Sequence, residues 1–177
     1  MQGIANRTDY DLTQHQTVSK QDLQYNDPKT GARYIPYVIE PSFGLSRTVM
    51  AVMMDCYTEE VLKKENSDGS VSEDTRVVVR FPFALAPVKY AILPLIEKDE
   101  AMVELGRKLY KKLKQQFNCE FDLGGAIGKR YRRQDEIGTP YCICVDHQSL
   151  EDGTVTIRDR DTMEQVRVKW EEIGENR

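Results

Sequence analysis

Apolar and polar positions divide the chain into three stretches. Up to about Thr30 it is polar, and Asn26-Asp27-Pro28-Lys29-Thr30-Gly31 closes that stretch with a turn signal. Tyr34 to Glu40 then predicts a strand, Pro41 to Gly44 a turn, and Leu45 to about Lys64 a helix. That helix is nearly apolar from Thr48 to Met54 and acquires charge only at Glu59, Glu60, Lys63 and Lys64. A helix apolar all round at its start is normally buried in something larger. Glu65 to Asp74 is polar and reads as a linker or exposed loop, the best candidate boundary.

A regular alternation follows. Val77 to Phe81 predicts a short strand, and Val88 to Leu95 a strand buried on both faces. Lys98 to Phe117 predicts an amphipathic helix, with Met102, Leu105, Leu109 and Leu113 on one face and lysines around the other. Cys119 to Leu123 reads as a strand, Ile127 to Ile137 as a helix broken by Gly138-Thr139-Pro140, and Tyr141 to Asp146 as another strand. Val155, Ile157, Val166 and Val168 alternate across a turn at Arg160-Asp161-Thr162, the pattern of a β-hairpin. The order βαβαβββ predicts a mixed sheet with parallel crossovers and an antiparallel edge.

Composition narrows the classes. With 177 residues, 40% hydrophobic and 31% charged, the chain is an ordinary globular one, long enough for one domain or a small one with an appendage. No apolar run approaches the ~20 residues that span a bilayer, and the first seven residues are too polar for a secretory signal. A net charge of −4 rules out nucleic-acid binding by bulk electrostatics and leaves only a local patch. Cys56, Cys119, Cys142 and Cys144 lack zinc-site spacing and read as buried small hydrophobes in a reducing cytoplasm. His15 and His147 lie far apart in sequence, which argues against a Ser-His-Asp or Cys-His machine.

Three constellations carry chemistry. In Glu40-Pro41-Ser42-Phe43-Gly44-Leu45-Ser46-Arg47, a carboxylate and a hydroxyl at a strand end can hold a small ammonium-bearing ligand. Gly44 allows close backbone approach, and Arg47 leans back toward a helix N-terminus where a phosphate could pair with it. The other reading is a plain strand–turn–helix with a surface arginine. Gly124-Gly125-Ala126-Ile127-Gly128-Lys129 fails the phosphate-loop pattern twice, at Leu123 and at Arg130, and reads as a tight turn into a helix. Lys129-Arg130-Tyr131-Arg132-Arg133 is either a salt-bridged face, with Arg132 and Glu136 at pairing distance, or a phosphate-binding patch that Arg158 and Arg160 extend.

At these residues a family resemblance is legible. Tyr34 to Arg47 resembles the third signature motif of class II aminoacyl-tRNA synthetases in its glycyl form, and Gly3-Ile4-Ala5-Asn6-Arg7-Thr8-Asp9-Tyr10-Asp11-Leu12 resembles the segment preceding it. Leu85 to the end resembles the family's anticodon-binding domain, most strongly over Ile127 to Pro140 and Thr156 to Gln165. The implied fold is α/β: a class II anticodon-binding domain, a mixed five-stranded sheet flanked by helices, preceded by a strand–helix remnant of the antiparallel catalytic domain. The implied division is 1–64 catalytic remnant, 65–84 linker and 85–177 anticodon-binding domain.

The resemblance implies a cytoplasmic, homodimeric glycine–tRNA ligase that uses ATP and Mg²⁺ and forms a glycyl-adenylate, with no membrane or DNA partner. By that likeness Glu40, Pro41, Ser42, Phe43 and Gly44 would bind glycine. Gly44, Leu45, Ser46 and Arg47 would bind ATP, with Arg47 catalytic on the terminal phosphate. No residue is implied as a metal ligand. Ser46 stands where many class II enzymes place glycine or an acid. Lys129, Arg130, Arg132, Arg133, Thr139, Arg158 and Arg160 would meet tRNA(Gly), with Tyr131 a further candidate for base contact. The two earlier class II motifs find no room before Gly3, so the expectation is a C-terminal portion, inactive by itself, with an exposed apolar helix at Leu45 to Met54. The alternative is a non-catalytic RNA-binding accessory protein on the same fold.

Overall fold

The computed structural model describes residues 2–65 and 70–174. The chain divides into two compact units, Met1–Ala51 and Val52–Arg177.

In the first unit, β1 (Gln2–Asn6) is followed by α1 (Tyr10–Ser19), the short hairpin β2 (Tyr25–Asn26) and β3 (Arg33–Tyr34), then β4 (Ile39–Phe43). The expected turn lies between β2 and β3, where Asp27 accepts from the Lys29 amide and the Thr30 hydroxyl, and Gly31 takes φ +70°. The predicted strand from Tyr34 to Glu40 differs, being split between β3 and β4. The segment expected to turn at Pro41 is strand instead. β4 pairs antiparallel with β1 from Gln2↔Phe43 to Asn6↔Ile39. In a two-stranded ribbon, a proline such as Pro41 can direct its missing N–H away from the partner. The sequence pattern did not predict α1. It carries no apolar stripe and buries no residue, so periodicity had nothing to register.

α2 (Leu45–Cys56) begins as expected but stops eight residues before Lys64. Tyr57–Glu65 is β5, paired antiparallel with β6 (Val71–Val79) from Tyr57↔Val79 to Glu65↔Val71. Of the expected linker, Glu65 and Val71–Asp74 therefore lie in this hairpin, and residues 66–69 lie outside the described residues. The charged half of the predicted helix is strand because it is held across the ribbon: the Arg80 amide closes it on the Cys56 carbonyl at 2.7 Å, and Arg76 and Arg80 both bind Glu60. Leu45, Val49, Met50, Met53 and Met54 of α2 are exposed, as the sequence led one to expect.

The rest of the second unit runs β7 (Tyr90–Pro94), α3 (Glu100–Leu113), β8 (Cys119–Phe121), α4 (Ile127–Ile137), β9 (Tyr141–Val145), α5 (His147–Asp152), β10 (Thr154–Asp159), β11 (Gln165–Lys169) and a 3₁₀ turn at Trp170–Glu172. These strands form a five-stranded sheet in the order β11-β10-β9-β7-β8. β7 is parallel to β8 and β9, while β10 is antiparallel to β9 and β11, the mixed topology that the alternation predicts. β7 is buried throughout.

Side chains alternate across this sheet. Tyr90, Ile92, Ile143, Val145 and Val155 pack with Met102, Leu109 and Leu113 of α3. Ala91, Leu93 and Cys142 pack on the opposite face against Ile127 and Tyr131 of α4. α3 starts where the Asp99 carboxylate accepts from the Met102 amide at 3.1 Å. α4 ends at Gly138, whose φ of +81° suits glycine, and whose missing Cβ would meet Phe81 Cδ2 at 2.6 Å. The short α5, also unpredicted, is set by a capping box between Asp146 and Ser149. All four cysteines are buried and unpaired, and burial pushes the Cys142 thiol up to about 12.

Candidate functional site

The Glu40–Arg47 strip is built by β4 and the first turn of α2. Glu40 lies opposite Ala5 and faces Arg7 at 3.4 Å, and the same guanidinium forks onto Asp11 at 2.8 and 2.9 Å. This pairing holds the Asp11 carboxyl below its usual range. Ser42 lies opposite Gly3, where an added Cβ would come within 3.0 Å of the serine hydroxyl. The Gly44 carbonyl accepts from the Thr48 amide at 2.9 Å. The Arg47 side chain folds back over Gly44, 3.6 Å from where a Cβ would stand. A bulkier residue at either glycine would crowd the serine or the arginine. Apart from Gly44, which is half-buried, the strip is exposed. Carboxylate, hydroxyl and guanidinium thus share one short open surface.

The cationic constellation resolves differently from its sequence reading. Arg130 is buried and donates from its two terminal nitrogens to the carbonyls of Pro94 (2.6 Å), Leu95 (3.1 Å) and Asp122 (3.3 Å). Arg158 is buried on Asp135, at 2.9 and 3.2 Å, with its guanidinium over the Tyr131 ring. Arg160 is buried and donates to the carbonyls of Phe81 and Gly138, both at 2.9 Å, and to Asp161. Thr139 is buried and donates to Gln134 Oε1 at 2.7 Å. These four side chains, expected to face tRNA, are instead turned inward. A guanidinium that crosses to a buried carbonyl or carboxylate satisfies groups that would otherwise be unpaired at real cost.

Arg132, half-buried, and Arg133, exposed, are also engaged. Arg132 pairs with Asp74 rather than with Glu136, and Arg133 with Asp122 and the Gly124 carbonyl. Lys129 has no partner among the described residues, which leaves its ammonium to solvent.

A second feature lies on the α3 side of the sheet. Beyond the end of α3 opens a cavity of about 540 Å³, between β10–β11 and the 3₁₀ turn. Its floor holds Tyr90 and Tyr141, stacked with ring centroids 5.7 Å apart and planes at 24°. Ile157, Val166 and Val168 form an apolar wall, and Asp159, Thr162, Glu164 and Glu172 supply the polar rim. The Asp159 carboxylate accepts from the amides of Asp161 (2.8 Å) and Thr162 (2.9 Å), which fixes its direction. Glu164 has no side-chain partner among the described residues. An aromatic floor, an apolar side and acceptor-only carboxylates suit a flat ring that offers amino hydrogens. Sequence reading missed these residues, because they come from strands far apart in the chain. The only signal was that Tyr141 opens a strand and Glu164 closes a hairpin turn.

Comparison with known proteins agrees with this architecture. Residues 89–176 match the anticodon binding domain family. The glycine–tRNA ligase of Lachnoclostridium phytofermentans is 56% identical over 171 residues, covering 97% of this chain and 35% of that protein. The glycine–tRNA ligase of Ruminiclostridium cellulolyticum is 55% identical over 172 residues, with the same two coverages. That of Corynebacterium efficiens is 54% identical over 173 residues, covering 98% of this chain and 36% of that protein. The chain therefore spans about a third of the length of the curated relatives it matches.

Proposed function

Because the chain belongs to the glycyl-tRNA synthetase family, with residues 89–176 as its anticodon-binding domain, we propose that it is the tRNA-gripping portion of a glycine–tRNA ligase and that the cavity over Tyr90 and Tyr141 takes an anticodon base. The observation that carries this reading is the pairing of a stacked tyrosine floor with unengaged carboxylate at the rim. Sequence-specific reading of RNA relies on splayed-out bases that stack on aromatic side chains and are hydrogen-bonded at their edges. A carboxylate accepts from the exocyclic amino group of cytosine and repels the phosphates, so the pocket holds a base edge and leaves the backbone outside. Lys129 is the cation of the predicted patch still available to phosphate; Arg132 and Arg133 reach phosphate only by sharing with Asp74 and Asp122.

In the same proposal the Glu40–Arg47 strip belongs to the aminoacylation site. The Glu40 carboxylate and Ser42 hydroxyl meet the glycine ammonium beside Pro41 and Phe43, and Gly44, Leu45, Ser46 and Arg47 lie against ATP, with Arg47 on its terminal phosphate. Among the described residues no group of three carboxylate, histidine or cysteine side chains is gathered that could bind a metal, so Mg²⁺ would be held chiefly through the phosphates of ATP. A cytoplasmic homodimer is the assembly this reading carries with it. No described helix is long and apolar enough to cross a membrane.

The test is a titration of the chain with the anticodon stem-loop of tRNA(Gly), followed by fluorescence anisotropy. Glu164→Gln weakens binding about tenfold, the order of one good base contact. Replacing the loop cytosines by uridines weakens wild-type binding by a similar factor and weakens the variant little further. Equal affinity for both loops by the wild-type chain would sink the base-reading proposal.

A further inference from the structure

The rim of the cavity is carried by the β10–β11 turn, and that turn is tied to the β5–β6 hairpin by a closed ring of five residues, four ion pairs or hydrogen bonds between side chains and one to a backbone carbonyl. Arg160 forks onto Asp161 through Nε and Nη2, both at 2.9 Å. Asp161 is approached by Arg80 Nε at 3.4 Å, and Arg80 also binds Glu60. Glu60 accepts from Arg76 at 2.9 Å, and Arg76 donates back to the Arg160 carbonyl. The Arg160 amide is fixed separately on the Pro140 carbonyl at 2.9 Å. Arg76 continues inward to Asp135, which Arg158 also holds.

We infer that Arg160 and Asp161 are positioning residues for base reading, acting through the turn that places Asp159 and Glu164 on the cavity rim. This inference rests on the base-binding reading above. The turn fixes its own shape: Met163 sits at φ +61°, its amide bonds the Asp159 carbonyl at 3.0 Å, and the Asp159 amide bonds the Glu164 carbonyl at 3.0 Å. A turn this rigid moves as a body, so whatever anchors it sets both carboxylates at once. The anchor is ionic and hydrogen-bonded. Partly exposed ion pairs such as these add little to stability, whereas their fixed hydrogen-bond directions specify geometry. Arg160, with donors to Phe81, Gly138 and Asp161, allows the turn one placement relative to β9 and to the β5–β6 hairpin.

The experiment uses the full chain with Asp161→Asn, Asp161→Glu, Arg80→Ala and Glu164→Gln. Each is titrated with the tRNA(Gly) anticodon stem-loop and with the same loop bearing uridines for cytosines, and thermal unfolding is followed by circular dichroism. Asp161 is half exposed, so its variants remain folded. Asp161→Asn is expected to lose about tenfold on the cytosine loop and less than about twofold on the uridine loop, collapsing discrimination. Arg80→Ala shifts in the same direction by a smaller factor, and Asp161→Glu, which keeps the charge, retains most of the discrimination. If Asp161→Asn and Arg80→Ala discriminate like wild type while Glu164→Gln does not, the positioning role is wrong and the base pocket stands. If Glu164→Gln discriminates like wild type as well, the pocket reading itself fails and this inference goes with it. A fall in melting temperature with discrimination intact marks a purely structural ring and also overturns the inference.

Discussion

The two units of this chain are held by different physics. Between residues 2 and 51 no residue is buried, whereas every buried apolar side chain of the described residues lies between Cys56 and Ile173. The first unit has the β1–β4 ladder, a two-residue hairpin and exposed ion pairs such as Arg7–Asp11. Two-stranded ribbons are marginal in isolation, and exposed ion pairs contribute little. The second unit has a sheet packed on both faces, with Ile92, Met102, Leu109 and Ile143 fully buried, and an arginine–carboxylate lattice beneath it. Backbone pairing can therefore define a conformation without a core, but only burial makes one costly to disturb.

Three perturbations test that contrast, in falling order of effect. Asp135→Asn leaves Arg76 and Arg158 buried without their shared countercharge. It is expected to destabilise the second unit by about 3–5 kcal/mol in urea unfolding. A loss below about 1 kcal/mol, the scale of an exposed pair, would show that the guanidiniums find other partners.

Acid is the second. Hydrogen bonding from Arg80 holds Glu60 below its usual range, and hydrogen bonding from Arg160 does the same for Asp161. Both carboxyls are lower in the folded state than in the unfolded chain, so their stabilisation is present above the ordinary carboxylate range and is lost as pH falls below it. Both are partly exposed, which limits the effect to about 0.5–1 kcal/mol each. The urea midpoint should fall between about pH 6 and pH 3, and fall less in Asp161→Asn.

Phe43→Ala is the third. Phe43 is 69% exposed, and its loss should change stability by no more than about 0.5 kcal/mol in the same assay. A cost of several kcal/mol would mean that the first unit has a core of its own.

Legibility followed the same divide. Apart from the short α5, the elements of the second unit from β7 onward could be read because burial imposes period on sequence: Met102, Leu109 and Leu113 mark the buried face of α3, and Val155, Ile157, Val166 and Val168 mark the hairpin. α1 and the strand character of Tyr57–Glu65 escaped, since neither buries a regular stripe. The first is polar, and the second is held by cross-strand partners whose positions lie up to 22 residues away, as at Tyr57↔Val79. At the candidate site, Glu40, Ser42 and Arg47 are neighbours in sequence and were visible, whereas Tyr90, Tyr141 and Glu164 were not.

Short-range pattern in the chain was enough for the family resemblance, the βαβ alternation and the start of the helix at Leu45, because each is written in runs of neighbouring residues, whereas the strand at Pro41–Phe43 needed its partner β1. Which cations remain available was settled by the fold. Arg130, Arg158 and Arg160 look like a surface patch in one dimension and become internal fasteners in three, because the carbonyls of Pro94 and Phe81 and the carboxylate of Asp135 reach them from distant parts of the chain. Charge is written in the sequence, but whether it meets water or a buried acceptor depends on what the fold brings alongside it.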